Sequence, residues 1–235
     1  MKKFAVAASL AAFLLPAHAG ELTSLGALSQ GEFHRLVEDL GAAFSYKGVT
    51  PATPLGPIGF DVGVEVTDTR MRNSALFALA GAGGQSHLVI PKLHVNKGLF
   101  GGLDIGAFVG GSSDVSATLF GVDLRYAILD DTLTRPAVAL RASATRTTGL
   151  GDLRIATGAV DVMVSKVFVM VTPYAGAGMA RVQAKATNTV LAEEKINRGR
   201  VFGGVNVNLI GTNLAVEVEK TGNNTSISAK IGMRF

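Results

Sequence analysis

Ionisable side chains recur among apolar residues at two-residue spacing through most of the chain. They are Asp61, Glu65, Lys92, His94, Asp104, Asp123, Arg125, Arg141, Glu217, Glu219, Lys230 and Arg234. In a β-strand, alternate side chains point to opposite faces of the sheet, so each of these residues shares a face with the polar residues of its own strand. Charges of both signs on one enclosed face favour two arrangements. One is a closed network of ion pairs, and the other is a narrow polar path for a small solute or ion.

Three histidines after residue 20, His34, His87 and His94, are the candidates for acid-base or nucleophilic catalysis. A Ser-His-acid site needs a hydroxyl beside the imidazole, whereas the adjacent Ser86 and His87 would point to opposite faces of a strand. The sequence has no G-x-S-x-G motif, no metal-ligand spacing, no phosphate-binding loop and no cysteine. We therefore predict a protein that is not an enzyme and that has no catalytic residue, cofactor or metal.

Segments of alternating apolar and polar residues must position these side chains, and they follow one another from residue 59 to the end. We predict strands at residues 59–69, 87–96, 102–110, 116–129, 136–147, 152–165, 167–183, 200–209, 212–221 and 225–235. In the sixth segment the apolar residues change face, which predicts a β-bulge near Thr157 and Gly158. Residues 71–86 are predicted to be a long loop, with a further strand as the alternative. The count is about ten strands, with eight or twelve as the neighbouring possibilities.

Residues 1–19 have the features of a cleaved secretory signal. Lys2 and Lys3 precede an apolar run at 4–15, and Ala17-His18-Ala19 fits a cleavage site. The run is shorter than the roughly 20 residues that a spanning helix needs. Loss of the two lysines with the signal lowers the formal net charge from +4 to +2, and the remaining basic residues are scattered. Binding to nucleic acid is therefore not predicted.

The last segment alternates without exception. One face carries Ile227, Ala229, Ile231, Met233 and Phe235. A final strand of alternating apolar residues that closes on Phe resembles the C-terminal signal of bacterial outer-membrane β-barrels. The resemblance implies that the barrel-assembly machinery reads this strand through Ile231, Met233 and Phe235, and that the strand pairs with the first one. It also implies a location in the bacterial cell outer membrane, in contact with outer-membrane lipid.

The predicted fold is all-β, a transmembrane antiparallel up-and-down β-barrel over residues 59–235. No apolar run after residue 20 is long enough for a spanning helix, so a chain that spans a membrane must form a closed barrel. A secreted β-sandwich is the competing fold. Counting back from Phe235, the gaps at 71–86 and 184–199 are predicted to lie on the outer side of the membrane and the shorter turns on the inner side.

Residues 20–58 form a separate segment with a short helix and a linker. The helical spacing i, i+3, i+4, i+7 is shown by Phe33, Leu36, Val37 and Leu40. Ser29 is the predicted N-cap and Gly41 the predicted stop of a helix of about eleven residues. An alternative prediction for residues 43–49 is an extra strand. We expect a lead-in whose apolar stripe lies against the barrel end, with a plug in the barrel mouth or a helix on the inner membrane surface as alternatives.

The first functional hypothesis is a small porin-like barrel without catalysis, which provides passive passage for small solutes or supports membrane integrity. The lumen residues would be the inward ionisable side chains named above. The alternatives are a lipid-modifying enzyme of the outer membrane and a barrel that binds lipid or another hydrophobic ligand. Predicted partners are outer-membrane lipid and the barrel-assembly machinery, whereas the oligomeric state stays open.

Overall fold

The computed structural model describes residues 22–112 and 114–235, so the predicted signal at 1–19 lies outside the described residues. Ten strands form one closed antiparallel barrel in which each strand pairs with its neighbours in sequence and the first pairs with the last. They are β1 Phe60–Arg70, β2 His87–Gly98, β3 Leu103–Ser112, β4 Ala117–Leu129, β5 Ala137–Thr148, β6 Leu153–Ser165, β7 Val171–Ala186, β8 Glu194–Leu209, β9 Thr212–Thr221 and β10 Asn224–Arg234. The described α-helices are α1 (Gln30–Phe44) and α2 (Ser74–Leu79), and short 3₁₀ helices lie at Leu25–Ala27 and Phe100–Gly102. The predicted ten-stranded up-and-down barrel is confirmed.

The first and last strands close the barrel. Their register runs from Asp61 opposite Arg234 to Thr69 opposite Ser226. The ladder continues to the final residue, because the Phe60 amide donates to the Phe235 carbonyl at 2.7 Å and the Phe235 amide donates back at 3.0 Å. Closure leaves no unpaired sheet edge, which is the condition for strands to cross a lipid bilayer.

The outer surface of the barrel carries a continuous apolar belt. Its exposed side chains include Val62, Val66, Leu93, Val95, Ile105, Phe120, Val122, Leu124, Leu140, Val160, Val162, Val201, Leu214, Val216, Ile227 and Ile231. Each alternates with a buried residue of the same strand, as the two-residue period requires. So large an exposed apolar surface matches lipid, not water. Among the described residues, no helix is long and apolar enough to span a bilayer.

The barrel has two ends, which we name by their contents. The C-terminal end carries Phe235, and the loop end carries the connection at 71–86. The predicted gap at 184–199 is reduced to 187–193, because β7 continues to Ala186 and β8 begins at Glu194. Residues 71–86 are therefore the main evidence that the long connections lie at one end of the barrel and the short ones at the other. That connection contains α2 and no strand, so the loop was the correct interpretation.

The predicted bulge in β6 is wrong. Buried and exposed residues alternate along all of β6, and its pairing with β5 and β7 has no interruption. Leu153 and Ile155 face inward like the polar residues further along β6. They are apolar because the interior of the barrel is apolar at this point. The irregularity in this region lies instead between β4 and β5, where the register shifts between Ala127 and Leu129.

Candidate functional site

The chain before β1 fills the lumen from one end to the other. At the loop end, the Gln30 amide accepts from the Ala192 backbone amide at 2.9 Å. At the C-terminal end, the backbone amide of Thr53 donates to the Ser165 hydroxyl at 3.1 Å, and that of Leu55 donates to Asp104 at 3.2 Å. Residues 41–52 between them are all buried. We call residues 22–58 the plug. The expected lead-in outside the barrel is therefore wrong, because the apolar stripe of α1 is covered by the lumen wall itself.

A capping box starts α1. The Ser29 hydroxyl accepts from the Glu32 amide at 3.4 Å, and the Ser29 amide donates to the Glu32 carboxylate at 2.9 Å. The hydrogen bond from the Ser29 backbone amide, followed by one that the Ser29 hydroxyl donates to the same carboxylate at 2.8 Å, holds the pKa of Glu32 below its usual value. The prediction of Ser29 as N-cap is correct.

The helix does not stop at Gly41 as predicted, since it continues to Phe44. Gly41 instead allows α1 to approach the wall closely, because a Cβ atom there would lie 2.5 Å from a methyl group of Val182 on β7. The alternative of a strand at 43–49 is also wrong, because α1 continues to Phe44 and residues 45–49 form no strand.

The half of the lumen near the loop end is apolar. The inward-facing wall residues of one buried cluster with the stripe of α1 are Leu88, Ile90, Leu119, Leu153, Ile155, Val182 and Ile196. Burial of the whole helix stripe in this cluster, at about 25 cal/mol per Å² of apolar surface, supplies the main hydrophobic attraction between plug and wall. An open aqueous lumen would not be lined in this way.

Polar contacts fix the plug at the loop end. The buried Asp39 carboxylate accepts hydrogen bonds from the backbone amides of Arg72 and Asn73 at 3.0 and 2.8 Å, and from the Asn224 amide group at 2.8 Å. Glu38 pairs with Arg198 of β8. A polar cavity of about 180 Å³ lies beside these residues. The helix is thus tied to three separate parts of the barrel rim.

Halfway down the lumen, ion pairs join the plug to the wall. Arg200 lies 2.5 Å from Glu219 and 3.4 Å from Asp161, and it donates to the Tyr46 carbonyl at 2.9 Å. Lys47 lies 3.4 Å from the same Glu219. All five side chains are buried. A buried charge without a partner is costly, so the position of the plug at Tyr46 and Lys47 is set by these wall charges.

Two further contacts complete this layer. The Tyr46 hydroxyl donates to Asp123 at 2.5 Å. Arg141 lies 2.9 Å from Asp161, and its guanidinium lies over the Phe202 ring at 4.8 Å from the centroid. The backbone of Gly48 passes directly against Arg141, so closely that no side chain would fit between them. The plug and the charged wall are therefore in contact across the middle of the lumen.

Towards the C-terminal end, two more clusters close the interior. Asp61 is paired with Lys230 at 2.8 Å and with Arg234 at 3.1 Å, and the His94 ring nitrogen lies 3.2 Å from it. Arg125 pairs with Asp104 and donates to the Thr50 hydroxyl and the Pro51 carbonyl of the plug, at 2.5 and 2.9 Å. Glu65 pairs with Lys92 on the adjacent strand.

The structure places all twelve charged or histidine residues of the sequence analysis inside the barrel, buried or partly buried. Most of them form ion pairs or hydrogen bonds. Glu217 is the exception, since within residues 22–112 and 114–235 its buried carboxylate has no hydrogen-bond partner. Asp161 and Arg200 were not among the predicted lumen residues, because Asp161 lies in the strand with the wrongly predicted bulge and Arg200 at a predicted strand start. The plug residues Tyr46 and Lys47 were not predicted either.

Comparison with solved structures finds bacterial barrels of similar architecture. The beta domain of the Bordetella autotransporter BrkA is 14% identical, covers 75% of this chain and 99% of that chain, and has a TM-score of 0.46. The KdgM porin is 10% identical over 74% and 99% of the two chains, with a TM-score of 0.37. Neisserial surface protein A is 12% identical over 74% and 95%, with a TM-score of 0.38. The similarity extends to the general barrel architecture and no further.

No protein-family model and no curated protein matches the sequence. The closed barrel and its apolar belt place the protein in the bacterial outer membrane.

Proposed function

We propose that the protein is a closed, non-enzymatic outer-membrane barrel that supports membrane integrity and is sealed by its own plug. The observation that carries the proposal is the unbroken burial of residues 41–52 along the lumen. The apolar cluster around α1 and the ion pairs at Tyr46 and Lys47 hold this segment in place. In this proposal the inward charges bind the plug, and passive passage of small solutes requires that the plug be displaced.

The proposed orientation puts the loop end outside the cell. Barrels of this kind keep the C-terminal end on the periplasmic side. The wall also extends further at the loop end, where the outward faces of β7 and β8 continue into polar residues such as Gln183 and Asn197. The assembly-signal residues Ile231, Met233 and Phe235 are exposed on the lipid side of β10, which supports their proposed recognition by the barrel-assembly machinery.

The histidine contacts support a role without catalysis. His34 lies 2.8 Å from Glu194, His87 2.9 Å from Asp68, and His94 3.2 Å from Asp61. Each imidazole therefore has a carboxylate as its hydrogen-bond partner, which accounts for these rings as structural contacts.

Conductance of the refolded mature protein in a planar bilayer tests the closed lumen. We expect no steady openings, because the plug occupies the lumen throughout its length. Steady and reproducible openings of the unmodified protein would contradict the proposal.

A Thr53→Cys/Ser165→Cys double variant is the matched control, since the two hydroxyl oxygens lie 3.0 Å apart and the chain has no other cysteine. If brief openings occur, oxidation of this variant should abolish them and reduction should restore them. Openings that are unchanged by the disulfide would show that ions pass without movement of the plug, which would contradict the proposal.

A further inference from the structure

The outward face of β5 to β8 carries a cluster of basic side chains just beyond the apolar belt, on the loop-end side. We call it the basic face, and its members are Arg146, Arg154, Arg181, Lys185 and Lys195, all exposed. They occupy outward positions of four consecutive strands. This concentration differs from the opposite side of the barrel, where Asp68 lies 2.9 Å from His87 at the same end.

The charges of the basic face are largely uncompensated. Of the five basic side chains, only Lys195 forms an ion pair within residues 22–112 and 114–235, with Glu193 at 3.3 Å on the exposed surface. Arg154 stands directly opposite Lys185 in the β6–β7 register. Like charges directly opposite each other destabilise a sheet, so this arrangement costs stability unless an anion lies between them.

A surface groove joins this face to the apolar belt. One cavity, of about 260 Å³, has Arg146, Arg154, Lys185 and Glu193 as its charged lining residues. A second, of about 750 Å³, lies beside it and is lined by Ala142, Gly158, Val160, Met179 and Arg181. Ala156 and Gln183 line both cavities, so the two adjoin.

The groove exists because the outward side chains here are small. Ala142, Ala156 and Gly158 stand where other strands of the belt carry Phe120, Val122 or Leu124. The result is a basic cavity beside a mainly apolar groove in the belt, with Gln183 and Asn197 among the residues that line the groove. A headgroup phosphate with an attached acyl chain has the matching chemistry, because arginine and lysine bind phosphate and a hydrocarbon chain fills an apolar channel.

We propose that this site binds a phosphate-bearing lipid of the leaflet at the loop end. Arg146, Arg154 and Lys185 bind the phosphate, and the groove at Ala156 and Gly158 holds one acyl chain. The proposal is independent of whether the lumen is closed, since the site lies on the outer wall of the barrel.

Native mass spectrometry of the refolded protein in neutral detergent tests this, with phosphatidic acid as the probe and phosphatidylcholine as the uncharged comparison. We expect phosphatidic acid to bind more tightly, and an Arg154→Gln/Lys185→Gln variant to weaken that binding by about tenfold or more. The matched control is Arg70→Gln/Lys220→Gln, which removes the same charge from exposed positions on β1 and β9. It should change the affinity less than about twofold. Loss of the same size in both variants, or no loss in either, would overturn the proposal.

Two further arms separate the sources of phosphate. Ala156→Phe should weaken binding of long-chain phosphatidic acid but not of a short-chain form, because it fills the groove without removing a charge. Inorganic phosphate should not displace the lipid at equal concentration. If it does, and if the Arg154→Gln/Lys185→Gln variant loses phosphate binding equally, the site takes free phosphate and the lipid assignment is wrong.

Discussion

An Arg200→Met variant is expected to lose about 3–5 kcal/mol of the free energy of unfolding, because it leaves the buried Glu219 carboxylate without its main partner. Arg200 is fully enclosed, pairs with Glu219 at 2.5 Å and holds the plug through the Tyr46 carbonyl. Lys47 still neutralises part of the Glu219 charge, whereas Asp161 keeps only Arg141. Reversible urea unfolding in detergent micelles measures the change.

Arg198→Met is the matched control for this variant. Arg198 lies two residues away on β8 and pairs with Glu38, but its side chain is 37% exposed. An exposed ion pair contributes about 0–1 kcal/mol, so a small loss is expected. Equal losses for the two variants would show that the ion pairs within the lumen do not hold the structure together.

The second large effect is expected from Phe33→Ala. The Phe33 side chain is completely buried in the apolar cluster between α1 and the wall, and its truncation should weaken plug docking by about 3–5 kcal/mol. The strand ladder does not depend on this side chain, so the barrel should stay folded on a heat-modifiability gel. In a planar bilayer we expect intermittent openings that the unmodified protein lacks.

Arg35→Ala serves as the control, since Arg35 is on the same helix but exposed. It should leave the conductance silent and the free energy of unfolding within about 0.5 kcal/mol of the unmodified protein. If Phe33→Ala remains as silent as Arg35→Ala while losing stability, the apolar cluster stabilises the fold but does not close the lumen.

The sequence predicted the barrel well because strand periodicity is a local property. At residues 60–67 of β1 and 226–234 of β10, apolar residues alternate with polar or small ones, and the paired charges of Asp61 and Lys230 could both be assigned to the inside. Their partnership was not predictable, since it depends on the register at which the first and last strands pair.

The plug was placed wrongly for a physical reason. Apolar residues on the inward faces of β2 and β6, such as Ile90 and Ile155, are not expected in a polar lumen. They are explained by the apolar stripe of α1, which packs against them. Gly41 likewise reads as a helix stop, yet its role is the close approach to Val182. The inward apolar wall residues and Gly41 both make contacts with distant segments of the chain. Local sequence patterns do not predict such contacts.

The central claim is that the plug runs through the lumen, with its two ends at opposite ends of the barrel. Because the chain has no cysteine, single cysteines can be labelled in intact cells with a membrane-impermeant maleimide. Gly26→Cys and Ile58→Cys probe the two exposed ends of the plug. Val190→Cys marks the loop end and Ile210→Cys marks the C-terminal end, both at fully exposed positions.

The account predicts that Gly26→Cys is labelled in intact cells together with Val190→Cys, whereas Ile58→Cys and Ile210→Cys are labelled only after the outer membrane is permeabilised. Labelling of Gly26→Cys under the same conditions as Ile210→Cys would put both ends of the plug on one side of the membrane and would contradict the claim.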